Sequence, residues 1–143
     1  MLVVSVTDFD TKAAIVVRDD LAVWQRLNVT AFLASGIVAA ARDGAIGEPY
    51  SDADGREYLP LPVQPMLIFE ADARRLRTLL ERAERREVRV ALYTSQMFAT
   101  GNDTDNRAAV GAVPTSELDL VGVGLRAPHR DADAILRGVS RHG

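Results

Sequence analysis

Four short apolar segments constrain the fold of this chain more than any other feature. They are residues 13–18 (AAIVVR), 66–71 (MLIFEA), 88–94 (VRVALYT) and 120–125 (LVGVGL). Short runs rich in β-branched and other apolar residues are typical of buried strands, and the segments between them have helical patterns. The sequence therefore predicts an α/β fold with helices against both faces of a largely parallel or mixed sheet.

Two longer segments have clear helical patterns. Residues 23–42 have a helical pattern, and residues 29–41 within it are apolar or small on nearly every side. We therefore expect a helix that is buried on most sides and is stopped by Asp43-Gly44. Asp72 is a good N-cap for a second helix. The inward stripe of that helix would consist of Leu76, Leu79, Leu80 and Ala83.

Length and composition limit the domain organisation and the chemistry. With 143 residues, of which 48% are hydrophobic, the chain is expected to form one domain over residues 1–143, with a core from about 13 to 140. The absence of cysteine excludes a disulfide framework, a thiolate nucleophile and a cysteine zinc site. Apolar runs shorter than about 18 residues and the lack of a targeting segment predict a cytoplasmic protein without membrane contact.

Several common functional motifs are missing from the sequence. It has neither a phosphate-binding loop ending in Lys-Ser/Thr nor a GxSxG elbow, and its histidines, His129 and His142, lack the spacing of metal ligands. We therefore expect no metal and no cofactor. The net charge of −3 makes nucleic acid an unfavourable partner.

One segment is rich in arginine but also carries interleaved glutamates, as solvated helix faces do. The arginines are Arg74, Arg75, Arg77, Arg82, Arg85 and Arg86. A solvated face is the preferred interpretation, and a track for phosphate groups is the alternative.

Polar side chains occur on the first predicted helix. Asn28 and Ser35 are seven residues apart and share one side of the helix, with Phe32 between them. They belong either to a ligand site or to local hydrogen bonds, in which Ser35 bonds to the preceding turn and Asn28 ties down a neighbouring loop.

Polar residues also follow two predicted strands. Residues 93–107 (YTSQMFATGNDTDNR) contain many hydroxyl and amide groups, and residues 18–20 (RDD) follow the first strand. Ligands of open α/β sheets bind outside the carboxyl ends of strands, so both segments are expected to border one crevice. Asn102 or Asp103 would cap a helix, and Gly101 would occupy a turn with positive φ.

The motifs IVVRDDL, LNVTAFLASG, IGEPYSDADG, QPMLIFEAD and above all YTSQMFATGNDTDNRAAV resemble the bacterial family known as domain of unknown function 2000. That family looks like a relative of the type II peptidyl-tRNA hydrolases. The resemblance implies a single domain with a mixed four-stranded sheet flanked by helices, often assembled as a homodimer. A homodimer also agrees with the apolar residues of the proline-rich excursion at 47–62, namely Tyr50, Tyr58, Leu59 and Leu61.

The hydrolases carry lysines early in the first helix and an aspartate after the third strand. In this sequence, Arg26 and Asn28 stand at the lysine positions, and Thr94 or Ser95 stands at the aspartate position. A hydroxyl cannot replace a carboxylate as a general base near neutral pH, so little peptidyl-tRNA cleavage is expected.

The leading functional hypothesis is a small enzyme that acts on an acyl, ester or amide bond of a small polar substrate. Its catalytic residues would be Asp103, Asn28 and Ser95, with Asp19 as an alternative base. The expected ligand-binding residues are Arg18, Asp19, Arg26, Tyr93, Thr94 and Asn106. The alternatives are a non-catalytic metabolite-binding module and a genuine peptidyl-tRNA hydrolase, the latter using Arg26 and the arginine-rich helix to bind phosphates.

Overall fold

A computed structural model of the chain describes residues 9–41 and 44–141. Strands and helices alternate along it, as the sequence predicts. The strands are β1 (Thr11–Arg18), β2 (Tyr50–Ser51), β3 (Glu57–Tyr58), β4 (Met66–Ala71), β5 (Ala91–Thr94), β6 (Leu120–Pro128) and β7 (Ser140–Arg141). The α-helices are α1 (Val23–Ala41), α2 (Ala73–Arg85), α3 (Asp103–Gly111) and α4 (His129–Ile135).

The main sheet is mixed and has the strand order β5-β6-β1-β4-β7. Strand β1 runs parallel to β4 and antiparallel to β6, and β6 runs antiparallel to β5. The prediction of a mixed sheet built on four strands is confirmed. The two-residue strand β7, which pairs with β4 at the edge, was not predicted. Strands β2 and β3 form a separate hairpin, in which Gly55 has a φ of 81°.

Two apolar layers cover the two faces of the sheet. Alternate side chains of β1 point to opposite faces, so Ile15 packs toward α1 while Val16 packs toward α2 and α4. Both side chains are fully buried. The prediction of helices on both faces is therefore confirmed.

Helix α2 matches the sequence pattern closely. Oδ1 of Asp72 accepts a hydrogen bond of 2.7 Å from the backbone N–H of Arg75, so Asp72 is the expected N-cap. Leu76, Leu79 and Ala83 are buried. Leu80 is half-buried against the same apolar cluster.

Helix α1 is less buried than its composition suggests. Only Val29, Leu33 and Ile37 are buried. Phe32 is 53% exposed, and Ala31, Ala39 and Ala40 are also exposed, so the expectation of burial on most sides is wrong. Within the described residues, helix α1 packs on the main sheet and no second layer covers its outer side. Its many alanines make it apolar without requiring burial. Among the described residues, no helix is long and apolar enough to cross a membrane.

The buried line of α1 lies directly on the backbone of β6. A Cβ atom at Gly122 would be 2.5 Å from Cγ1 of Val29 and 2.9 Å from Cδ1 of Leu33, closer than real side-chain atoms approach. A Cβ at Gly124 would be 3.2 Å from Cβ of Leu33. The two glycines thus allow α1 to pack closer to the sheet than any side chain at their positions would permit.

We expect Gly122→Ala to lower the free energy of unfolding by about 1–3 kcal/mol, because the added methyl group overpacks the α1–β6 contact. Urea denaturation measures the change. Gly101→Ala is the matched control, since a Cβ at Gly101 meets no atom within 4 Å. Equal denaturation midpoints for the Gly122→Ala variant and the unmodified protein would contradict the packing account.

Candidate functional site

An open crevice of about 780 Å³ lies where α1, the end of β5 and α3 meet. Its apolar lining residues are Trp24, Phe32, Tyr93, Met97, Phe98 and Val110. Its polar or small lining residues are Asn28, Thr100, Gly101, Asn102, Asp103, Asn106, Arg107 and Gly111. The crevice therefore joins an aromatic side, formed mainly by α1 and β5, to a polar side formed mainly by α3.

Four aromatic rings form a continuous series along the crevice. Tyr93, at the end of β5, lies 5.6 Å from Phe32 and 5.2 Å from Phe98, measured between ring centroids. Phe98 in turn contacts Trp24 edge to face at 5.7 Å. Tyr93 is 4% exposed, whereas Phe32 is 53% and Trp24 60% exposed. The rings of α1 therefore offer open aromatic surface above a buried tyrosine.

Asn28 connects the helix to the base of the crevice. Its Nδ2 donates a hydrogen bond of 3.2 Å to the hydroxyl oxygen of Tyr93. Ser35, on the same side of α1, is exposed, and its hydroxyl donates to the carbonyl oxygen of Ala31 at 3.1 Å. The local alternative therefore holds for Ser35, whereas Asn28 bonds to a crevice residue instead of a loop.

The polar side of the crevice is built around the N-terminus of α3. The Asn102 side chain caps the helix, because its Oδ1 accepts a hydrogen bond of 2.8 Å from the backbone N–H of Asp105. The hydroxyl of Thr100 contacts the side-chain oxygen of Asn106. Oδ2 of Asp103 accepts a hydrogen bond of 2.8 Å from Nε of Arg107, and both side chains are largely exposed.

Gly101 does not have the predicted conformation. Its φ lies outside the left-handed region, so the expectation of a positive-φ turn there is wrong. The chain reverses instead through a 3₁₀ turn, Ser95–Ala99, and enters α3 through the extended residue Asn102, whose φ is −160°. No left-handed residue is needed on that path.

The charged residues that follow β1, residues 18–20, do not line the crevice. Arg18 instead links two strands of the sheet. Nε of Arg18 donates to Asp20 at 2.6 Å, and Nη1 donates to Asp119 at 3.0 Å and to the carbonyl oxygen of Leu120 at 3.3 Å. Burial alone would lower the pKa of Arg18, but its hydrogen bond with Asp20 and the charges of Asp20 and Asp119 raise that pKa above its ordinary value. Arg18 thus ties the end of β1 to the start of β6.

Asp19 and Arg26 lie in the same connection. The backbone N–H of Asp19 donates to the carbonyl oxygen of Ala71 at 3.0 Å. Arg26 donates to the carbonyl oxygens of Leu21 and Asp19, each at 3.0 Å. Arg26 therefore holds the segment between β1 and α1, and neither residue lines the crevice.

Thr94 and Ser95 also lie outside the crevice lining. Thr94 is 1% exposed, and its Oγ1 makes no hydrogen bond within the described residues. The backbone N–H of Ser95 donates to the carbonyl oxygen of Asp119 at 3.0 Å.

Of the residues predicted from the sequence, the structure brings Asn28, Tyr93, Asp103 and Asn106 to one crevice. The main residues that the sequence analysis missed are Trp24, Phe32, Phe98 and Arg107. The spacing of residues 24, 28 and 32 was an available signal, because residues four apart share one side of a helix. In the described part of the chain, no group of three or more histidine, aspartate or glutamate side chains is arranged to hold a metal ion.

Comparisons with known proteins place the chain in a family. The family model described as "Protein of unknown function (DUF2000)" matches residues 11–142. The chain is also similar to the solved structure of a protein of unknown function from Agrobacterium tumefaciens strain C58, with a TM-score of 0.90 and 44% identity, covering 94% of this chain and 99% of that chain. No curated protein gives a significant match. The resemblance of the sequence motifs to the domain of unknown function 2000 family is confirmed.

We expect Tyr93→Phe to lower the free energy of unfolding by about 0.5–1.5 kcal/mol, because Asn28 loses its partner while the ring packing stays intact. Urea denaturation measures the loss. Ser35→Ala is the control on the same side of α1, and it should change the stability less, since Ser35 is exposed. If Tyr93→Phe and Ser35→Ala both gave the same denaturation midpoint as the unmodified protein, the hydrogen bond between Asn28 and Tyr93 would contribute nothing to the free energy of unfolding.

Proposed function

The chain belongs to the DUF2000 family of proteins of unknown function, and from the geometry of its crevice we propose that it binds a small organic molecule with a planar apolar part and a neutral polar group. The observation that carries this proposal is a row of open aromatic rings beside unengaged side-chain amides. Pockets for small ligands typically combine these two kinds of surface.

The aromatic side supports the planar part of the ligand. Trp24 and Phe32 keep more than half of their surface in water, although both contact aromatic rings at the base of the crevice. Covering apolar surface contributes about 25 cal/mol per Å², and a ring in the ligand gains further from edge-to-face contacts. A planar group lying against Trp24 and Phe32 would therefore be stabilised on the aromatic side.

The amides support the neutral polar group. Within the described residues, Oδ1 of Asn28 accepts no protein hydrogen bond, and Nδ2 of Asn106 donates none. The free acceptor of Asn28 and the free donor of Asn106 match the donor and acceptor of a carboxamide, a lactam or a hydroxyl group. The only charged lining residues, Asp103 and Arg107, pair with each other, so the crevice has no net charge to attract an ionic ligand.

Hydrolysis is a second candidate, favoured by the carboxylate of Asp103 in the same crevice as Asn28. In that case Asp103 would activate water, and the amide of Asn28 would stabilise the oxyanion formed at an acyl, ester or amide carbonyl. Ser95, the third residue of the original hypothesis, is not part of the lining. Peptidyl-tRNA remains the least favoured substrate, because the Asp103–Arg107 pair offers its phosphates no net positive charge and the nearby Asp105 adds a negative charge.

We test binding with benzamide, which joins a planar ring to a neutral amide, and follow the fluorescence of Trp24, the single tryptophan of the chain. A saturable change is expected, with a dissociation constant on the order of millimolar for so small a molecule. Asn28→Ala should weaken binding by about fivefold to tenfold, the effect of one hydrogen bond. Ser35→Ala is the matched control and should leave the affinity unchanged.

Acetamide and benzoate test the contributions of the planar ring and of the neutral amide separately. Acetamide lacks the ring and benzoate carries a charge, so both should bind more weakly than benzamide. Equal binding of all three compounds, or an Asn28→Ala variant with unchanged affinity, would contradict the proposal. Turnover of 4-nitrophenyl acetate that is lost in Asp103→Asn and kept in Asp54→Asn would favour the hydrolase candidate.

A homodimer on a peptidyl-tRNA-hydrolase-like scaffold remains part of the proposal. Tyr50, Tyr58, Leu59 and Leu61 are all exposed on and beside the β2–β3 hairpin, and Leu59 is 86% exposed. An exposed apolar patch of this kind marks an interaction surface.

Light scattering at micromolar concentration should therefore give twice the mass of the chain. Leu59→Ser should shift the mass toward that of the single chain, whereas Leu27→Ser, the same substitution at another exposed leucine on α1, should not. A clean single-chain mass for the unmodified protein would reject the dimer.

A further inference from the structure

Two arginines of α2 extend to the turn that follows α4, on the face of the sheet opposite the crevice. Nη1 of Arg82 donates to the carbonyl oxygens of Ile135 and Arg137, at 3.2 and 2.7 Å. The guanidinium of Arg75 lies against Gly138, where an added Cβ would be 2.9 Å from Cζ of the arginine. Arg75 and Arg82 begin about 10 Å apart along the helix axis. The structure brings their charged ends to one short turn.

Two further arginines complete this arginine cluster, defined as Arg75, Arg82, Arg85 and Arg137. Within residues 9–41 and 44–141, no ion pair joins a carboxylate to any of the four, whereas the neighbouring Arg86 pairs with Asp131 at 3.0 Å. In the described part of the chain, four positive charges without a carboxylate partner are therefore close enough to act on one another, although the net charge of the chain is −3.

The four charges act on one another. Burial lowers the pKa of Arg82, and the positive charges of Arg137, Arg75 and Arg85 lower it further. Arginine nevertheless keeps its proton in proteins, so the contributions of the three neighbouring arginines mean that positive charges repel one another at this turn. An anion bound among the four side chains would relieve this repulsion.

We propose that the arginine cluster is a second binding site, independent of the crevice, for a soluble small molecule that carries two or more phosphate groups. Guanidinium groups bind phosphate oxygens through paired hydrogen bonds. In the described residues, the guanidinium groups of Arg75, Arg85 and Arg137 make no hydrogen bond to a protein acceptor, whereas Arg82 uses Nη1 for the turn. Several cations around one turn favour a multiply charged ligand over a single carboxylate.

Isothermal titration calorimetry of the full chain with tripolyphosphate, at constant ionic strength, tests the proposal. We expect one saturable site, weakened at least about tenfold in the double variant Arg75→Gln/Arg137→Gln, which removes charge-assisted hydrogen bonds without touching the Arg82 contacts to the turn. The double variant Arg56→Gln/Arg126→Gln removes the same charge from exposed positions outside the cluster and should bind as the unmodified protein does. Thermal melting of each variant confirms folding, and Arg85→Gln serves as a second variant if the first does not fold.

Phosphatidylglycerol vesicles at the same phosphate concentration distinguish a soluble ligand from a lipid headgroup. Binding of tripolyphosphate with little binding of vesicles supports the proposal. Binding confined to vesicles, no saturable binding of tripolyphosphate, or equal weakening in the two double variants would overturn it. The benzamide experiment is independent, because no residue of the arginine cluster lines the crevice.

Discussion

The close contact between α1 and the backbone of β6 is the constraint on which the rest of the structure depends. Gly122 and Gly124 leave the surface of β6 bare, and Val29 and Leu33 occupy the space that side chains would take. Because residues 29, 33 and 37 face the sheet, the adjacent line of residues 24, 28 and 32 is turned toward the end of β5. The glycines of one strand thus fix the orientation of the helix that carries Trp24, Asn28 and Phe32 into the crevice. Overpacking this contact would disturb the stability of the domain and the geometry of the proposed site together.

Charge has separate roles at separate places in the molecule. The charged residues that follow β1 stabilise the fold, since Arg18 donates hydrogen bonds to Asp20, to Asp119 and to the backbone of β6. At the crevice, Asp103 and Arg107 neutralise each other, which leaves aromatic and amide groups to recognise a ligand. The arginine cluster on the opposite face lacks such compensation. The two proposed sites therefore differ in ligand chemistry, and the sheet lies between them.

The fold could be predicted from the sequence because β1, β4, β5 and β6 are short apolar runs and the longest helices, α1 and α2, have distinct patterns. The two-residue strand β7 has no such signal, since edge pairing over Ser140 and Arg141 depends on the position of β4. The burial of α1 was overestimated because alanine and glycine satisfy an apolar pattern without needing burial. The site was predicted only in part. The sequence locates the segment of residues 93–107, but it does not show that Tyr93 lines the crevice and Thr94 does not, because the register between β5 and β6 shifts between these two residues.

The aromatic part of the site escaped prediction because an aromatic residue in an apolar helix is usually a core residue. We infer that these rings and the two amides form one binding surface. A crystal structure of the protein soaked with benzamide would show whether they do. We expect density for the ring against Trp24 and Phe32, with the amide within hydrogen-bonding distance of Asn28 and Asn106. Benzamide bound elsewhere on the surface, with the crevice occupied only by water, would show that the rings and amides do not act together.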